Sequence, residues 1–351
     1  MSGGHDLGDS FRRLIRQSGP ITVARYMGEG NAHYYSTRDP LGQAGDFITA
    51  PEISQMFGEM IGLWCADLWQ RAGRPADLAY VELGPGRGTL AADALRAMAR
   101  HGLCPPVHFV EGSSALAALQ QQAVPQALIH DSLGDVPEDV PMVLVANEFL
   151  DALPVRQLVR TQRSWRERMV ALDDADRFMF VAGDQPMDDA VPEARRQAEP
   201  GTIIETCPGA AAVAQEIGRR LREHGGAALL IDYGYLEPAT GSTLQAVRAH
   251  RKVDPLASPG AADLTAHVDF AALAEAAEQG GAGRVFTATQ GAFLERLGIT
   301  ARANALVAAQ PERRAQVAGE HRRLCAPDEM GELFKVMALV APGWPPPAGF
   351  A

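Results

Sequence analysis

Residues 78–89 read Leu78-Ala79-Tyr80-Val81-Glu82-Leu83-Gly84-Pro85-Gly86-Arg87-Gly88-Thr89, and this stretch decides the fold. Its first six residues form a short apolar run typical of a buried strand, and a helical pattern begins at Thr89. The glycines between them allow backbone conformations, and a close approach to a ligand, that a side chain would hinder. The stretch therefore predicts a strand, a ligand-binding loop and a helix, the first unit of an open α/β sheet.

The same alternation continues to about residue 236. Further short apolar runs occur at 107–110, 127–130, 142–146 and 227–231. Helical patterns precede or follow most of them. Short apolar strands joined by helices indicate a parallel sheet covered on both faces, so we expect a Rossmann-like α/β core.

The rest of the chain divides into segments of different character. Residues 1–75 carry helical patterns and predict an N-terminal helical cap or lid before a core at 76–240. Within that core, three short β runs at about 155–182 predict an antiparallel insertion. Residues 241–341 predict helical additions and a final strand, and the proline-rich tail at 342–351 predicts disorder.

Composition argues against several classes of partner and location. The 351 residues include 32 basic and 43 acidic side chains, a formal net charge of −11, whereas nucleic-acid binding needs clustered cations. The longest apolar runs fall far short of the ~20 residues of a membrane span, and the N-terminus matches neither a secretory signal nor a transit peptide. We therefore predict a cytoplasmic protein with no membrane span and no nucleic-acid partner. The oligomeric state stays open.

The cysteines and common catalytic motifs point to no metal or hydrolytic chemistry. Cys65, Cys104, Cys207 and Cys325 are far apart and form no Cys-x-x-Cys pair, which predicts free thiols and no metal site. The chain has no Gly-x-Ser-x-Gly elbow and no His-Glu-x-x-His motif.

Three classes of glycine loop compete for the stretch at 82–88. A P-loop needs Gly-Lys followed by Ser or Thr, and a dinucleotide loop needs its third glycine where Thr89 stands, which disfavours a nicotinamide-dependent oxidoreductase. The remaining pattern, acidic-x-Gly-x-Gly-x-Gly, is the one that Rossmann-like methyltransferases use for S-adenosylmethionine. Its carboxylate suits the cationic end of that cofactor. The predicted contacts are Glu82, Gly84, Pro85, Gly86 and Gly88.

Two further loops extend the predicted cofactor site. Glu111 ends the second strand, where open α/β sheets place an acidic residue to hold ribose hydroxyls. Asp131 and Ser132 follow the third strand, where such enzymes contact the adenine. Ordinary loop capping is the alternative for these two residues.

The stretch Asn147-Glu148-Phe149-Leu150-Asp151-Ala152-Leu153-Pro154 follows the fourth strand, at the edge where open sheets bind ligands. In a helical turn Glu148 and Asp151 would share a side and form a carboxylate pair able to clamp a guanidinium. We predict Glu148, Asp151 and Asn147 as the catalytic residues. Solvated charges in a capping turn are the alternative.

Five blocks in fixed order carry a family resemblance. They are residues 45–55 with 57–59, 82–90, 147–154, 231–234 and 263–270. The blocks resemble the MidA family of class I methyltransferases, whose mitochondrial members are protein-arginine methyltransferases required for assembly of respiratory complex I. The resemblance spans roughly two thirds of the chain, from about Tyr26 to Phe270.

The resemblance implies a seven-stranded core with added helices, and symmetric dimethylation of an arginine on a complex I subunit. It also implies that the block at 45–55 lids the cofactor, which places Asp46 and Thr49 at the cofactor site. Two alternatives remain open: a small-molecule methyltransferase, and a cofactor-binding assembly factor of complex I without essential catalysis.

Overall fold

A computed structural model describes residues 6–37, 49–248 and 251–350. The N-terminal part is mainly helical, and the side chains of Asp6 and Ser54 cap two of its helices by accepting backbone N–H groups. Its elements are α1 (Leu7–Ser18), β1 (Ile21–Thr22), α2 (Val23–Thr37), α3 (Ala50–Ile53) and α4 (Gln55–Arg71).

The α/β core follows, with strands and helices in alternation. Its first half contains β2 (Ala79–Leu83), α5 (Thr89–Ala99), β3 (Val107–Val110), α6 (Ser114–Ala123), β4 (Leu128–His130) and β5 (Met142–Asn147). An insertion of four strands comes next: β6 (Arg156–Arg160), β7 (Trp165–Leu172), β8 (Phe178–Pro186) and β9 (Ile203–Thr206). The chain then returns to the core through α7 (Pro208–His224) and β10 (Gly226–Tyr235).

The last third adds a small sheet, several helices and two more core strands. The short strands are β11 (Gln245–Arg248), β12 (Arg251–Val253), β13 (Asp263–Thr265) and β14 (Val268–Asp269). The remaining elements are α8 (Phe270–Gly280), β15 (Arg284–Thr289), α9 (Gln290–Leu297), α10 (Ile299–Ala309), α11 (Arg314–Cys325), α12 (Met330–Leu333) and β16 (Phe334–Val340).

Seven strands form the central sheet in the order β15-β16-β10-β5-β2-β3-β4, and β14 pairs with the end of β10. The five strands from β10 to β4 are parallel, whereas β16 is antiparallel to both β10 and β15. This confirms the predicted seven-stranded Rossmann-like core.

Two apolar layers cover the sheet. Along β5, Val143 and Val145 face one layer, and Leu144 and Ala146 face the other. The first layer contains residues of α4, α5 and the helices from α9 to α11, and the second contains residues of α7 and α8. A sheet buried on both faces explains why its strands read as continuous apolar runs.

The predicted insertion is antiparallel, but it extends beyond residue 182. Its sheet has the order β1-β7-β6-β9, with β8 beside β7. Ile21 of the N-terminal part pairs with Val170 of β7, which joins the cap to the insertion. The region 241–341, predicted as helical with a final strand, also contains the three-stranded sheet β12-β11-β13.

The predicted disorder of the proline-rich tail is wrong for residues 342–350. Phe350 packs against Phe293 and Phe286, with ring centroids 5.2 and 5.9 Å apart. Arg284 donates to the carbonyl of Trp344 at 2.6 Å, and Arg71 donates to that of Pro346 at 2.6 Å. The prolines stiffen the tail, and its aromatic side chains hold it against the core.

The four cysteines are free thiols, as their spacing predicts. Among the described residues, the helices are all too short or too polar to cross a membrane.

Candidate active site

A cavity of about 640 Å³ lies at the carboxyl edge of the sheet and is called the cofactor cavity below. In the glycine loop, residues 84–88, the first four residues line the cavity, whereas Gly88, also predicted as a cofactor contact, does not. Gly84, Gly86 and Gly88 have φ values of 59°, 56° and 80°, the left-handed region that favours glycine. A Cβ on Gly84 would lie 2.7 Å from Cδ2 of Phe149, so the loop also needs this glycine for space.

Glu82, the predicted partner of the cofactor's cationic end, lines this cavity at the end of β2 and is only 2 % exposed. Tyr80 donates a hydrogen bond to its Oε2 at 2.6 Å. Burial raises the pKa of Glu82 to about 7, because a charged carboxylate loses its water there, while the bond from Tyr80 opposes the rise. A bound cation would favour the charged form of Glu82.

Glu111, predicted to hold ribose hydroxyls, also lines the cavity. Its carboxylate accepts from the backbone N–H of Ser113 at 2.8 Å and from Nε2 of Gln120 at 2.9 Å. The same Nε2 donates to the carbonyl of Gly86 at 2.9 Å. Gln120 therefore joins the carboxylate of Glu111 to the glycine loop, and no motif in the sequence pointed to it.

Asp131 and Ser132 both line the cavity and are exposed. Ser132 also caps a short 3₁₀ turn, since its hydroxyl donates to Asp135 at 2.7 Å and its backbone N–H donates there at 3.0 Å. The capping role and a place at the cavity wall therefore coexist at Ser132.

The predicted lid is described from Thr49 onward, and Asp46 lies outside the described residues. Thr49 precedes α3 and lines the cavity, as do Pro51 and Glu52 of α3. The hydroxyl of Thr89, at the start of α5, donates to Glu52 at 3.0 Å. This hydrogen bond joins α3 to α5, the helix that follows the glycine loop.

The reaction loop, residues 147–154, brings Asn147 and Glu148 to the cavity wall. Oε1 of Glu148 accepts from Nδ2 of Asn147 and from the backbone N–H of Ala50, both at 3.0 Å. Burial raises the pKa of Glu148 to about 7, and the nearby charge of Asp151 adds to the rise. Oδ1 of Asn147 is buried and has no hydrogen-bond partner among the described residues.

Asp151 is buried close to Glu148 but is not among the residues that line the cofactor cavity. The hydroxyl of Tyr233 donates to its carboxylate, and burial raises the pKa of Asp151 to about 6. The structure therefore brings Glu148 and Asn147 together at the cavity and directs Asp151 toward Tyr233.

Two residues to which the sequence analysis assigned no role hold the reaction loop. Asp232 accepts the backbone N–H groups of Leu150 at 3.0 Å and Asp151 at 3.2 Å. From α2, Asn31 donates to the carbonyl of Ala152 at 3.0 Å. The loop needs such support because Glu148 has a φ of 51°, a strained value for any residue other than glycine.

The cavity fits S-adenosylmethionine in three respects. The glycine loop leaves space where a side chain would stand, the described hydrogen bond to the carboxylate of Glu82 comes from Tyr80, a neutral group, and Glu111 brings a second carboxylate to the cavity. Carboxylates suit the ammonium and the ribose hydroxyls of this cofactor.

The fold and this cavity define a class I methyltransferase. Residues 60–287 match the family of S-adenosyl-L-methionine-dependent methyltransferases, and the chain belongs to that family. Its relatives include the protein arginine methyltransferase NDUFAF7, mitochondrial, of Xenopus tropicalis, which is 36 % identical with 96 % of this chain and 87 % of that protein covered. The protein of the same name from Homo sapiens is 36 % identical, with 93 % and 81 % covered.

A similar crystal structure supports the cofactor. It is a protein from Burkholderia thailandensis bound to S-adenosyl-homocysteine, 30 % identical, with a TM-score of 0.84 over 98 % of this chain and 93 % of that one. The predicted cofactor, S-adenosylmethionine, is thereby confirmed for this family.

The prediction of a cytoplasmic location is wrong, because the protein's relatives are mitochondrial. The relatives from Xenopus tropicalis, Mus musculus and Homo sapiens are all named as mitochondrial proteins.

Proposed function

We propose that this protein transfers a methyl group to an arginine side chain of a polypeptide, and that the polypeptide is a subunit of respiratory complex I. The observation that carries the proposal is Glu148, a carboxylate on the wall of the cofactor cavity. The names of the relatives, protein arginine methyltransferases, support arginine as the target. The family resemblance of the sequence blocks supports the complex I subunit.

The bound cofactor supplies the methyl group, whose bond to sulfur breaks as a bond to nitrogen forms. A guanidinium is protonated at neutral pH, so the attacking nitrogen must lose a proton during transfer. Glu148 accepts a guanidinium N–H, which orients the nitrogen, and then takes that proton. A pKa of about 7 suits this role because the ideal base has a pKa near the working pH.

Asn147 contributes the second acceptor of the proposed guanidinium site. Its unpartnered Oδ1 lies next to Glu148, where it would accept an N–H from another nitrogen of the guanidinium. We therefore propose Glu148 and Asn147 as the substrate contacts, with Asp151 as a positioning residue that acts through Tyr233 and the loop backbone.

Transfer is tested with cofactor labelled in the methyl group, a lysate from cells lacking the protein, and amino-acid analysis of the labelled proteins. We expect label in methylarginine, and at least ~100-fold less with Glu148→Gln, since removing a positioned base costs 10²–10⁴-fold. Glu193→Gln, at an exposed glutamate away from the cavity, is the matched control. Label only in small molecules would contradict the proposal, as would no label at all despite cofactor binding.

The pH profile tests the role of Glu148 directly. Because burial raises its pKa to about 7, Glu148 holds a proton below that value, and we expect kcat to rise with pH through about 7. Stability changes in the opposite direction: the contribution of Glu148 is present below its unfolded pKa of about 4.5 and is lost as pH rises through about 7. Thermal unfolding of the cofactor-free protein should show this loss, and Glu148→Gln should reduce it. A kcat that is flat across this range would argue against Glu148 as the base.

A further inference from the structure

A second cavity, of about 260 Å³, lies on the other side of the reaction loop. Leu150 of that loop lines the second cavity, whereas Glu148 and Phe149 line the cofactor cavity. The thiol of Cys207 lies 3.5 Å from the carbonyl of Pro154 and lines the second cavity too. The reaction loop is thus a wall shared by both cavities.

The second cavity lies at the same edge of the sheet as the cofactor cavity, but at another strand. Tyr235, the last residue of β10, and Val268 of β14 line it, whereas the loops after β2, β3 and β4 line the cofactor cavity. Ligands of open α/β sheets bind along this edge. A substrate that reaches the reaction loop from the side of β10 would meet the second cavity.

The lining combines apolar walls with negative charge. Glu205 and Asp269 are its carboxylates, and it contains no lysine or arginine among the described residues. Glu205 accepts from Nε2 of Gln157 at 2.6 Å, from the backbone N–H of Thr243 at 3.0 Å and from the hydroxyl of Thr243, and these bonds fix the position of its carboxylate. The side chain that matches such a cavity has an apolar stem and a cationic end, as lysine and arginine have.

Cations of this chain lie near the second cavity but have partners of their own. The charge of Arg168 interacts with that of Glu205, and its Nη1 donates to Oε1 of Gln157 at 2.8 Å. Arg195 does not line the cavity, but its charge acts to lower the pKa of Tyr235. Its guanidinium donates to the carbonyl of Ala239 at 3.0 Å. The backbone of Tyr235 pairs with β14, whereas its hydroxyl makes no hydrogen bond among the described residues and can reach a ligand in the cavity.

Contacts connect the second cavity to the supports of the reaction loop. The ring of His267, in the cavity wall, packs edge to face on the ring of Tyr233 with centroids 5.5 Å apart. Tyr233 donates to Asp151, whose backbone N–H is held by Asp232. A side chain in the second cavity would therefore contact His267, which packs on Tyr233, the hydrogen-bond donor to Asp151.

We propose that the second cavity is a subsite for the polypeptide substrate and takes the side chain of a lysine or arginine near the methylated arginine. The inference rests on the proposed function, because it assigns the second cavity to the same substrate. It makes recognition of the substrate depend on two basic side chains, one at Glu148 and one between Glu205 and Asp269.

The experiment measures binding, so that it does not depend on methyl transfer. Fluorescent nonapeptides with a central arginine, otherwise neutral except for one lysine placed at each position in turn, are titrated with the protein and S-adenosylhomocysteine by fluorescence anisotropy. The reference peptide has alanine in place of that lysine. We expect lysine at one position to tighten binding at least ~10-fold, the change expected from a charge-assisted hydrogen bond.

Three variants test the place of binding. Asp269→Asn removes the charge but keeps an acceptor for the N–H of Ala272, to which Asp269 now offers Oδ1 at 3.0 Å. Ala211→Met fills the second cavity without touching the cofactor cavity. Asp6→Asn is the matched control, because Asp6 likewise caps a helix and lines neither cavity.

We expect Asp269→Asn and Ala211→Met to reduce the lysine preference to less than twofold, and Asp6→Asn to keep it. Unchanged calorimetric binding of S-adenosylhomocysteine checks that each variant is folded. The inference is overturned if no peptide binds, if no position prefers lysine, or if the preference survives in both cavity variants. A preference that is present while no arginine is ever methylated would instead remove the proposed function and leave a binding site.

Discussion

The glycine loop and the reaction loop both follow a buried strand of the same sheet, yet they maintain their shapes in different ways. In the glycine loop, positive φ values fall on Gly84, Gly86 and Gly88, where they cost little. In the reaction loop, the positive φ falls on Glu148, and Asp232 and Asn31 hold the strained backbone from other parts of the chain. The first loop is specified by its own residues, and the second by its surroundings.

The largest expected effect tests the local character of the glycine loop. Gly84→Ala adds a Cβ that would stand 2.7 Å from Phe149, and it also strains a left-handed residue by ~1–2 kcal/mol. We expect the Kd for S-adenosylhomocysteine to rise at least ~100-fold by calorimetry. Gly102→Ala is the control, since Gly102 has a φ of 82° and open space around it, so it has the strain without the contact. Cofactor binding within threefold of normal in Gly84→Ala would show that this loop adapts.

The second prediction breaks the long-range support of the reaction loop. Asp232→Ala leaves the N–H groups of Leu150 and Asp151 without their acceptor, which costs ~1–3 kcal/mol for a buried group. We expect kcat to fall ~30-fold, with the Kd for S-adenosylhomocysteine changed less than threefold. A general loss of folded structure would weaken cofactor binding as well, so a fall in kcat alone would point to the reaction loop.

The control for that variant is Asp173→Ala. Asp173 also accepts two backbone N–H groups, from Ala175 and Arg177, but in an exposed turn where water can replace it. We expect stability within ~0.5 kcal/mol of normal and full activity. Equal losses of activity in both variants would mean that the reaction loop does not depend on Asp232 in particular.

The smallest effect measures the strain at Glu148 itself. At an ordinary helical position alanine is more stable than glycine by ~1 kcal/mol, whereas at a positive φ the order reverses. We therefore expect Glu148→Gly to unfold at a higher temperature than Glu148→Ala. The same pair at Glu275, exposed in α8, should show the ordinary order. If the alanine variant unfolded at the higher temperature at both sites, the backbone at Glu148 would not be strained.

The contrast between the loops also explains how much the sequence could predict. The core strands and the glycine loop could be predicted because apolar runs and alternating glycines are local patterns, each formed by residues close together in the sequence. The support that Asp232 and Asn31 give to the reaction loop could not be predicted, because these residues contact the loop across 82 and 121 residues of sequence. Glu148 and Asp151 were predicted as one clamp from their spacing, but the left-handed backbone at Glu148 breaks the helical turn that the clamp assumed.

The errors at the edges of the fold have a similar cause. The tail was predicted as disordered from its prolines, but Phe350 packs against Phe293. No local pattern in the sequence predicts this contact. The insertion was predicted to end at 182, but it also contains β9, which begins after a gap of 16 residues from β8. The pairing of β9 with β6 joins segments that are distant in sequence, so local patterns did not predict it. Composition describes what a segment prefers alone, and packing decided both cases.

The position of β16 in the central sheet also fixes when this fold can be completed during synthesis. Residues 334–340 lie between β10 and β15 and pair with both. While the ribosome is still making the chain, β10 therefore has an unpaired edge facing outward for about a hundred residues of elongation. The nascent protein exposes this edge of β10 until β16 has been made, so a chain that stops short of β16 keeps an unpaired strand edge on which aggregation can start.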